Sequence, residues 1–297
     1  MPRRIVECVP NFSDGRRKEV IDQILAAISE VEGVRVLDVQ SNADHNRTVL
    51  TFIGEPEAVE EAAYLGVEKA AELIDMEAHR GQHPRIGAAD VVPFVPIAGV
   101  TMTECVEIAR RLGERIGREL SIPVYLYAEA AARPERSELS TIRRGGYEGL
   151  KLAIATDPSR APDFGPARLG KAGATIVGAR PPLIAFNVYL GTDDVEIAQA
   201  IARAVRHSSG GLRYVKALGL LVEGKAQVSM NLTDYRRTPI HRVLEMIRLE
   251  AARYGVSVVR SEVVGLIPNE ALVEAARFYL QLEGFSAGQI LEKHLQE

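Results

Sequence analysis

One order of elements, strand–helix–strand–strand–helix–strand, occurs twice along this chain, and the repeat narrows its possible folds more than any other feature. In the first pass IVECVPN reads as a strand ending at the Pro10–Asn11 turn, and residues 16–30 carry Val20, Ile21, Ile24, Leu25 and Ile28 on one helical stripe. Gly33 ends that helix. VRVLDVQS and RTVLTFIG follow as an antiparallel pair across the turn NADHN. Pro56 opens a helix to about Ile74, and VVPFVPI is the fourth strand. A helix over 103–120, the short strand PVYLYAEA and a helix through SELSTIRRGGYEGLKLAIA, interrupted at Gly145–Gly146, extend the unit. The second pass runs LIAFNVYL, a helix over 195–207, YVKALGLLV and AQVSMNLT across EGK, a helix over 240–254, and VSVVRSEVV. Closing helices are expected over 269–282 and 288–295. The expectation is an α+β protein of two ferredoxin-like (β-α-β-β-α-β) subdomains, 1–179 and 180–297, with a ligand cleft between them.

Composition sets the outer limits. A chain of 297 residues, 46% hydrophobic and 26% charged, has the make-up of a globular protein. A net charge of −4 without a basic block points away from nucleic acid. No apolar run approaches the ~18 residues of a membrane span, and MPRRIVECVPNF lacks a signal-like apolar core, so the expected compartment is the cytoplasm. Cys8 and Cys105 form no disulfide framework and have no metal-spaced neighbours; they read as buried thiols.

Chemistry concentrates in DMEAHRGQHPRIGAADVVPFVP, residues 75–96. His79, Arg80, His83, Arg85 and Asp90 are interspersed there with Gly81, Pro84 and Gly87. Pro84 biases His83 away from helix, which places it at a helix end or on a sharp turn. A metal pair at His79 and His83 would need a continuous helix and a third ligand, and the Gly-x-His-Pro break opposes the first. Two readings then stand about even on the residues alone: basic side chains capping a helix C-terminus, or a catalytic loop with an imidazole poised near neutrality. Residues 157–182, rich in Gly and Pro, read by pattern as a linker in preference to an anion-binding loop built on Arg168, Lys171 and Arg180.

The spacing HxGxHPRxGAxDVxPFxP resembles the signature of the glutamate formimidoyltransferases, the formiminotransferase domain of formimidoyltransferase-cyclodeaminase. The resemblance continues in VECVPNFSDG (6–15), HNRTVLTFIG (45–54), GVTMTECVEIAR (99–110), PVYLYAEAA (123–131), APDFGP (161–166), GATIVGAR (173–180), AFNVYL (185–190), QVSMNLTDY (227–235) and VVGLIP (263–268). It implies transfer of a formimino group from N-formimidoyl-L-glutamate to N5 of tetrahydrofolate in histidine degradation, by a metal-free homodimer without a cyclodeaminase domain. The family's catalytic histidine maps onto His83. The resemblance also turns 157–182 into part of a folate wall, with Gly165, Pro166, Arg168, Lys171 and Gly173 facing (polyglutamyl) tetrahydrofolate. Arg47, Arg85 and Arg180 are candidate clamps for the donor's two carboxylates. Asp38, Gln40 and Asp44 lie near the end of the second strand and in the following turn, where a carboxylate could orient His83; because position 40, often acidic in the family, is Gln40 here, Asp44 is the candidate partner. His79 is a weaker candidate with an equally good structural role, His45 a polar turn residue that could line the cleft, and His207, His241 and His294 are structural. A formyl-transferring relative using N-formyl-glutamate or 5-formyltetrahydrofolate, a folate-binding protein without turnover and, more distantly, a metal hydrolase are the alternatives.

Overall fold

The computed structural model describes residues 4–295, and the chain parts into two compact units between Pro181 and Pro182. The first begins with β1 (Ile5–Cys8) and β2 (Asn11–Phe12), one extended stretch interrupted at Val9–Pro10. There follow α1 (Lys18–Ser29), β3 (Arg35–Asn42), β4 (Arg47–Gly54), α2 (Pro56–Leu73) and β5 (Ala89–Ala98). The unit continues with α3 (Met102–Arg115), β6 (Val124–Ala128), α4 (Leu139–Ile142), α5 (Gly146–Ala153) and β7 (Thr175–Ala179). α3 starts at a capping box, the Thr101 hydroxyl accepting from Glu104 N while the Glu104 carboxylate accepts from Thr101 N. It widens into a π segment over Ile116–Leu120.

In the sheet β3 pairs with β4, β4 with β1 and β2, and these with β5, all antiparallel. β7 then joins β5 in parallel, and β6 joins β7. β7 corrects the reading of 157–182 as uniformly irregular. It lies between two strands with all five residues buried, so TIVGA shows no alternation, and its flanking Gly and Pro residues hide so short an apolar run.

The two faces of this sheet differ. Leu50, Phe52, Val92 and Phe94 point into the main core with Ile24 and Ile28 of α1, Val59 and Val67 of α2, and Ile108 and Leu112 of α3. On the opposite face Ile142, Leu150 and Ile154 cover Val91, Tyr125, Tyr127 and Ile176, and no residue of β3 or β4 belongs to that cluster. The alternation of β4 therefore leaves Arg47, Val49 and Thr51 on a face that no helix of this unit covers.

The second unit contains β8 (Ile184–Leu190), α6 (Val195–Val205), β9 (Val215–Val222), β10 (Lys225–Leu232), α7 (Ile240–Ala252), β11 (Val258–Val264) and α8 (Asn269–Leu280). Its sheet order is β11-β8-β10-β9, antiparallel throughout. Ile201, Val205, Val243 and Ile247 pack on Phe186, Val188, Val228 and Met230, each such burial worth about 1.5–3 kcal/mol. The closing helix expected over 288–295 is instead two short 3-10 turns, Ala287–Gln289 and Leu291–Leu295.

Candidate active site

Helix α2 stops at Leu73, where Ile74 takes up extended backbone, and residues 74–88 form a loop instead of the helix an HxxxH metal pair requires. The loop is docked on the turn between β3 and β4. Asn46 Nδ2 donates to Arg80 O (2.9 Å), Gln82 N donates to Asp44 O (3.0 Å), and His79 Nε2 donates to Asn46 O (2.9 Å). Gly81 permits the contact, since a Cβ there would stand 2.2 Å from the His45 carbonyl oxygen.

His79 braces this loop. With its proton on Nε2, its Nδ1 accepts from Arg85 Nε at 3.0 Å, and burial, the main cause, holds its pKa below the usual histidine value. Arg85 completes the brace through a bidentate pair with Glu148 of α5 at 2.8 and 2.9 Å. Arg85 is thus engaged within the fold.

His83, half-buried, is held differently. Its Nδ1 donates to its neighbour's carbonyl, Pro84 O, at 2.8 Å, and its Nε2 accepts from Arg47 Nη1 at 2.7 Å. The His45 ring meets it edge-on, with centroids 5.8 Å apart. Burial first, then the charges of Arg47, Arg143 and His45, push the His83 pKa well below the usual value, so the ring is neutral with its lone pair on Nε2. Burial and Arg143 likewise lower Arg47 to about 10, against the opposing pull of Asp90; it remains a cation at neutral pH. Asp90 is buried, accepting from Ile86 N (2.7 Å) through Oδ1 and pairing with Arg143 through Oδ2. Two guanidinium groups act on the imidazole while the one carboxylate, Asp90, is paired with Arg143, which leaves an electropositive setting. Arg143 Nε is buried with no partner among the described residues.

The remaining candidates are spread over the first unit. Asp44 is exposed, and its main-chain carbonyl holds Gln82; the group on His83 Nδ1 is the Pro84 carbonyl in place of the expected carboxylate. Arg180 follows β7, with Nη1 donating to Pro181 O (3.1 Å) and its charge opposing the burial that raises the Glu7 carboxyl. Gly165 and Gly173 have φ of +79° and +72°, and a Cβ on either would come within 2.4 Å of Ile122 O or 2.3 Å of Ile86 O. Backbone shape accounts for both glycines. Pro166 O accepts from Arg168 N, the Arg168 side chain is exposed, and Lys171 Nζ donates to Glu72 O (3.0 Å) at the end of α2. His241 stacks on Phe278, with centroids 4.5 Å apart, and His294 Nε2 lies 2.8 Å from Gly288 O.

Arg143, Glu148 and Asn46 escaped the sequence reading. The only available signal for Arg143 was the pair of arginines before Gly145–Gly146, at a helix end where cations are common. Among the described residues no three His, Cys, Asp or Glu side chains cluster as a metal ion would need, and no helix is long and apolar enough to cross a membrane.

Comparison with known proteins bears on this site. Residues 5–180 match the family model "Formiminotransferase domain, N-terminal subdomain", and residues 185–294 match "Formiminotransferase domain". A glutamate formimidoyltransferase of Thermoplasma acidophilum is 54% identical, over 99% of this chain and 98% of its own length. One from Streptococcus pyogenes serotype M1 is 48% identical over 98% and 99%. The formimidoyltransferase-cyclodeaminase of Rattus norvegicus is 46% identical over 94% of this chain and 53% of its own length.

Proposed function

The chain belongs to the formiminotransferase family, and from that premise we propose that it moves the formimino group of N-formimidoyl-L-glutamate onto N5 of tetrahydrofolate, with His83 as the proton shuttle. N5 attacks the amidine carbon, forming a C–N bond as the C=N π pair moves to nitrogen. The adduct's N5 ammonium gives its proton to His83 Nε2. The glutamate nitrogen takes a proton back from the imidazolium and leaves with the electrons of its C–N bond, as the electron pair on the retained formimino nitrogen returns to re-form the C=N bond. Atoms and charge balance without a covalent enzyme intermediate.

The observation that carries this reading is the pairing of His83 with Arg47. The Pro84 carbonyl fixes the proton on Nδ1 and presents the Nε2 lone pair, into which Arg47 donates. A donor carboxylate competes for that guanidinium, with the buried, unpartnered Nε of Arg143 beside it as a second anchor. When Arg47 turns to the carboxylate, the lone pair becomes available to N5–H. The low pKa of His83 suits this task. A protonated adduct amine is acidic enough for a weak base, and an imidazolium facing two guanidiniums readily returns its proton to the departing glutamate nitrogen. Alignment of the two substrates supplies further rate. A homodimeric, cytoplasmic enzyme belongs to the same reading and is tested by sedimentation and fractionation.

The direct test is a donor panel with tetrahydrofolate as acceptor and product identification by mass. 5-Formiminotetrahydrofolate plus glutamate is expected. Product from N-formyl-glutamate alone would move the chain to formyl transfer, and folate binding without turnover would make it a carrier.

A further inference from the structure

We infer that Asp38, with Thr51 opposite it, reads the amino edge of the pterin ring of the folate, an assignment that rests on the transfer reading above. β3 carries a bulge opposite β4. β3 and β4 pair Val36 with Phe52 and then Asp38 with Thr51, so the register shifts by one residue at Leu37. Without that shift Leu37 would stand opposite Thr51, and Asp38 would turn toward the main core. The bulge thus places a carboxylate on the helix-free face that Arg47 shares.

Both side chains are left wanting a donor or acceptor. Asp38 Oδ2 is buried with no partner among the described residues; the same holds for Thr51 Oγ1, on a residue only 1% exposed. Buried polar atoms are nearly always paired, so two such atoms facing one another across a strand pair require a reason. An anionic ligand would be repelled by Asp38 and an apolar one would leave both atoms unpaired. A neutral heterocycle presenting adjacent N–H donors satisfies them. The pterin 2-amino group and N3–H form such a pair, spaced for the two oxygens of one carboxylate, and Thr51 Oγ accepts the second amino hydrogen.

The position along the strand agrees with the chemistry. Arg47 and Thr51 lie on the same face of β4, roughly 13 Å apart between Cα atoms at ~3.3 Å per residue, with Val49 and Gln40 between them. Side chains leaning in from both ends shorten that span. A pterin lying along it places its amino edge at Asp38 and its N5 toward His83, with Val49 as apolar floor. The face is polarised accordingly, anionic where the ring's donors arrive and cationic where the glutamyl donor's carboxylates arrive.

The experiment measures binding of tetrahydrofolate and of its 2-desamino-2-methyl analogue by calorimetry, without formimino donor, to the wild-type chain and to Asp38→Asn and Thr51→Val. Wild type should bind the analogue about ten- to hundredfold more weakly. Asp38→Asn should lose a similar factor on tetrahydrofolate and most of its discrimination between the two ligands, while its KM for N-formimidoyl-L-glutamate stays near wild type. Thr51→Val should fall in between. Equal binding of both ligands by wild type overturns the assignment without recourse to any variant, and so does full discrimination retained by Asp38→Asn. Absence of both folate binding and formimino transfer in wild type would instead bring down the transfer reading itself.

Discussion

The two units share one arrangement of strands and helices, to which the first adds α3 through β7, and within the shared part they differ at one informative junction. In each, the second helix of the repeat leads to the fourth strand. In the second unit α7 ends at Ala252 and β11 begins at Val258, and residues 253–257 merely turn the corner, with Val256 N bonded back to Ala251 O. In the first unit α2 ends at Leu73 and β5 begins at Ala89, and the longer crossing carries His79, Arg80, His83 and Arg85. Length alone would make that segment mobile. It is fixed instead by hydrogen bonds with the β3–β4 turn, from Asn46 of the turn to Arg80 O and from His79 and Gln82 of the loop to Asn46 O and Asp44 O, and by the Arg85–Glu148 pair. The comparison teaches that the scaffold is indifferent to chemistry here, and that the candidate site is a loop elaborated on one copy and braced by its own unit.

The sharpest way to break that comparison is to remove the reactive group from one junction and alter the other in parallel. His83→Gln keeps polarity and reach but cannot take up a proton usefully near neutrality, and it should cut kcat by about two to four decades. Tyr254→Ala, at the exposed junction of the second unit, should leave kcat near wild type. Thermal melting should be similar for all three proteins. A His83→Gln enzyme of near wild-type turnover would remove the residue from the mechanism. A loss caused only by failed folate binding, measured by calorimetry, would reduce it to a contact.

Next in size is the effect of Arg47. Its charge is among the causes that hold the His83 pKa down, so wild-type kcat/KM should stay level through the range where an ordinary histidine titrates and fall only at lower pH. Arg47→Met should move that acid limb upward toward ~6.5 and raise KM for the donor by about tenfold or more, while KM for tetrahydrofolate changes less. Stability carries the same sign. The folded-state pKa of His83 lies below its unfolded value, so the unfolded chain binds more protons between the two. Stability should fall as pH drops from ~6.5 toward the folded pKa, and more steeply in wild type than in Arg47→Met. An acid limb unmoved by the substitution would mean that Arg47 does not govern the imidazole.

What could be read in advance follows from these physical differences. Helices with a clear stripe, such as Val20, Ile21, Ile24 and Ile28, and strands with alternation were legible because one face of each is buried. β7 was not, because burial on both faces erases alternation. His83 stood out through Pro84 and the family signature. Its pairings did not: Arg47 was singled out only as a donor clamp, Arg143 not at all, both reach His83 from separate elements, and the Nδ1 partner is a main-chain carbonyl, which no residue type announces. The bulge at Leu37 was equally silent, because VRVLDVQS reads as a regular strand. The bidentate pair of Arg85 with Glu148 was silent too, because the partners stand more than sixty positions apart in sequence.

The smallest expected effect separates two basic residues that the sequence treated alike. Arg168 is exposed on the loop after Pro166, whereas Lys171 holds the last turn of α2 through Glu72 O and receives Met76 N on its own carbonyl, at the root of the His83 loop. A polyglutamyl folate tail is a flexible polyanion, and an exposed guanidinium attracts it through a screened field. Arg168→Ala should therefore weaken a pentaglutamyl folate by about two- to fivefold relative to the monoglutamate, a gap that closes in high salt, and leave melting unchanged. Lys171→Ala keeps the main-chain bond to Met76 but removes a cation from a helix C-terminus. It should lower stability by about 0.3–1 kcal/mol and affect both folates equally. Equal losses for the two folates in Arg168→Ala would mean that the tail is not read at this loop. A tail-specific loss in Lys171→Ala would mean that its bond to Glu72 opens when folate binds.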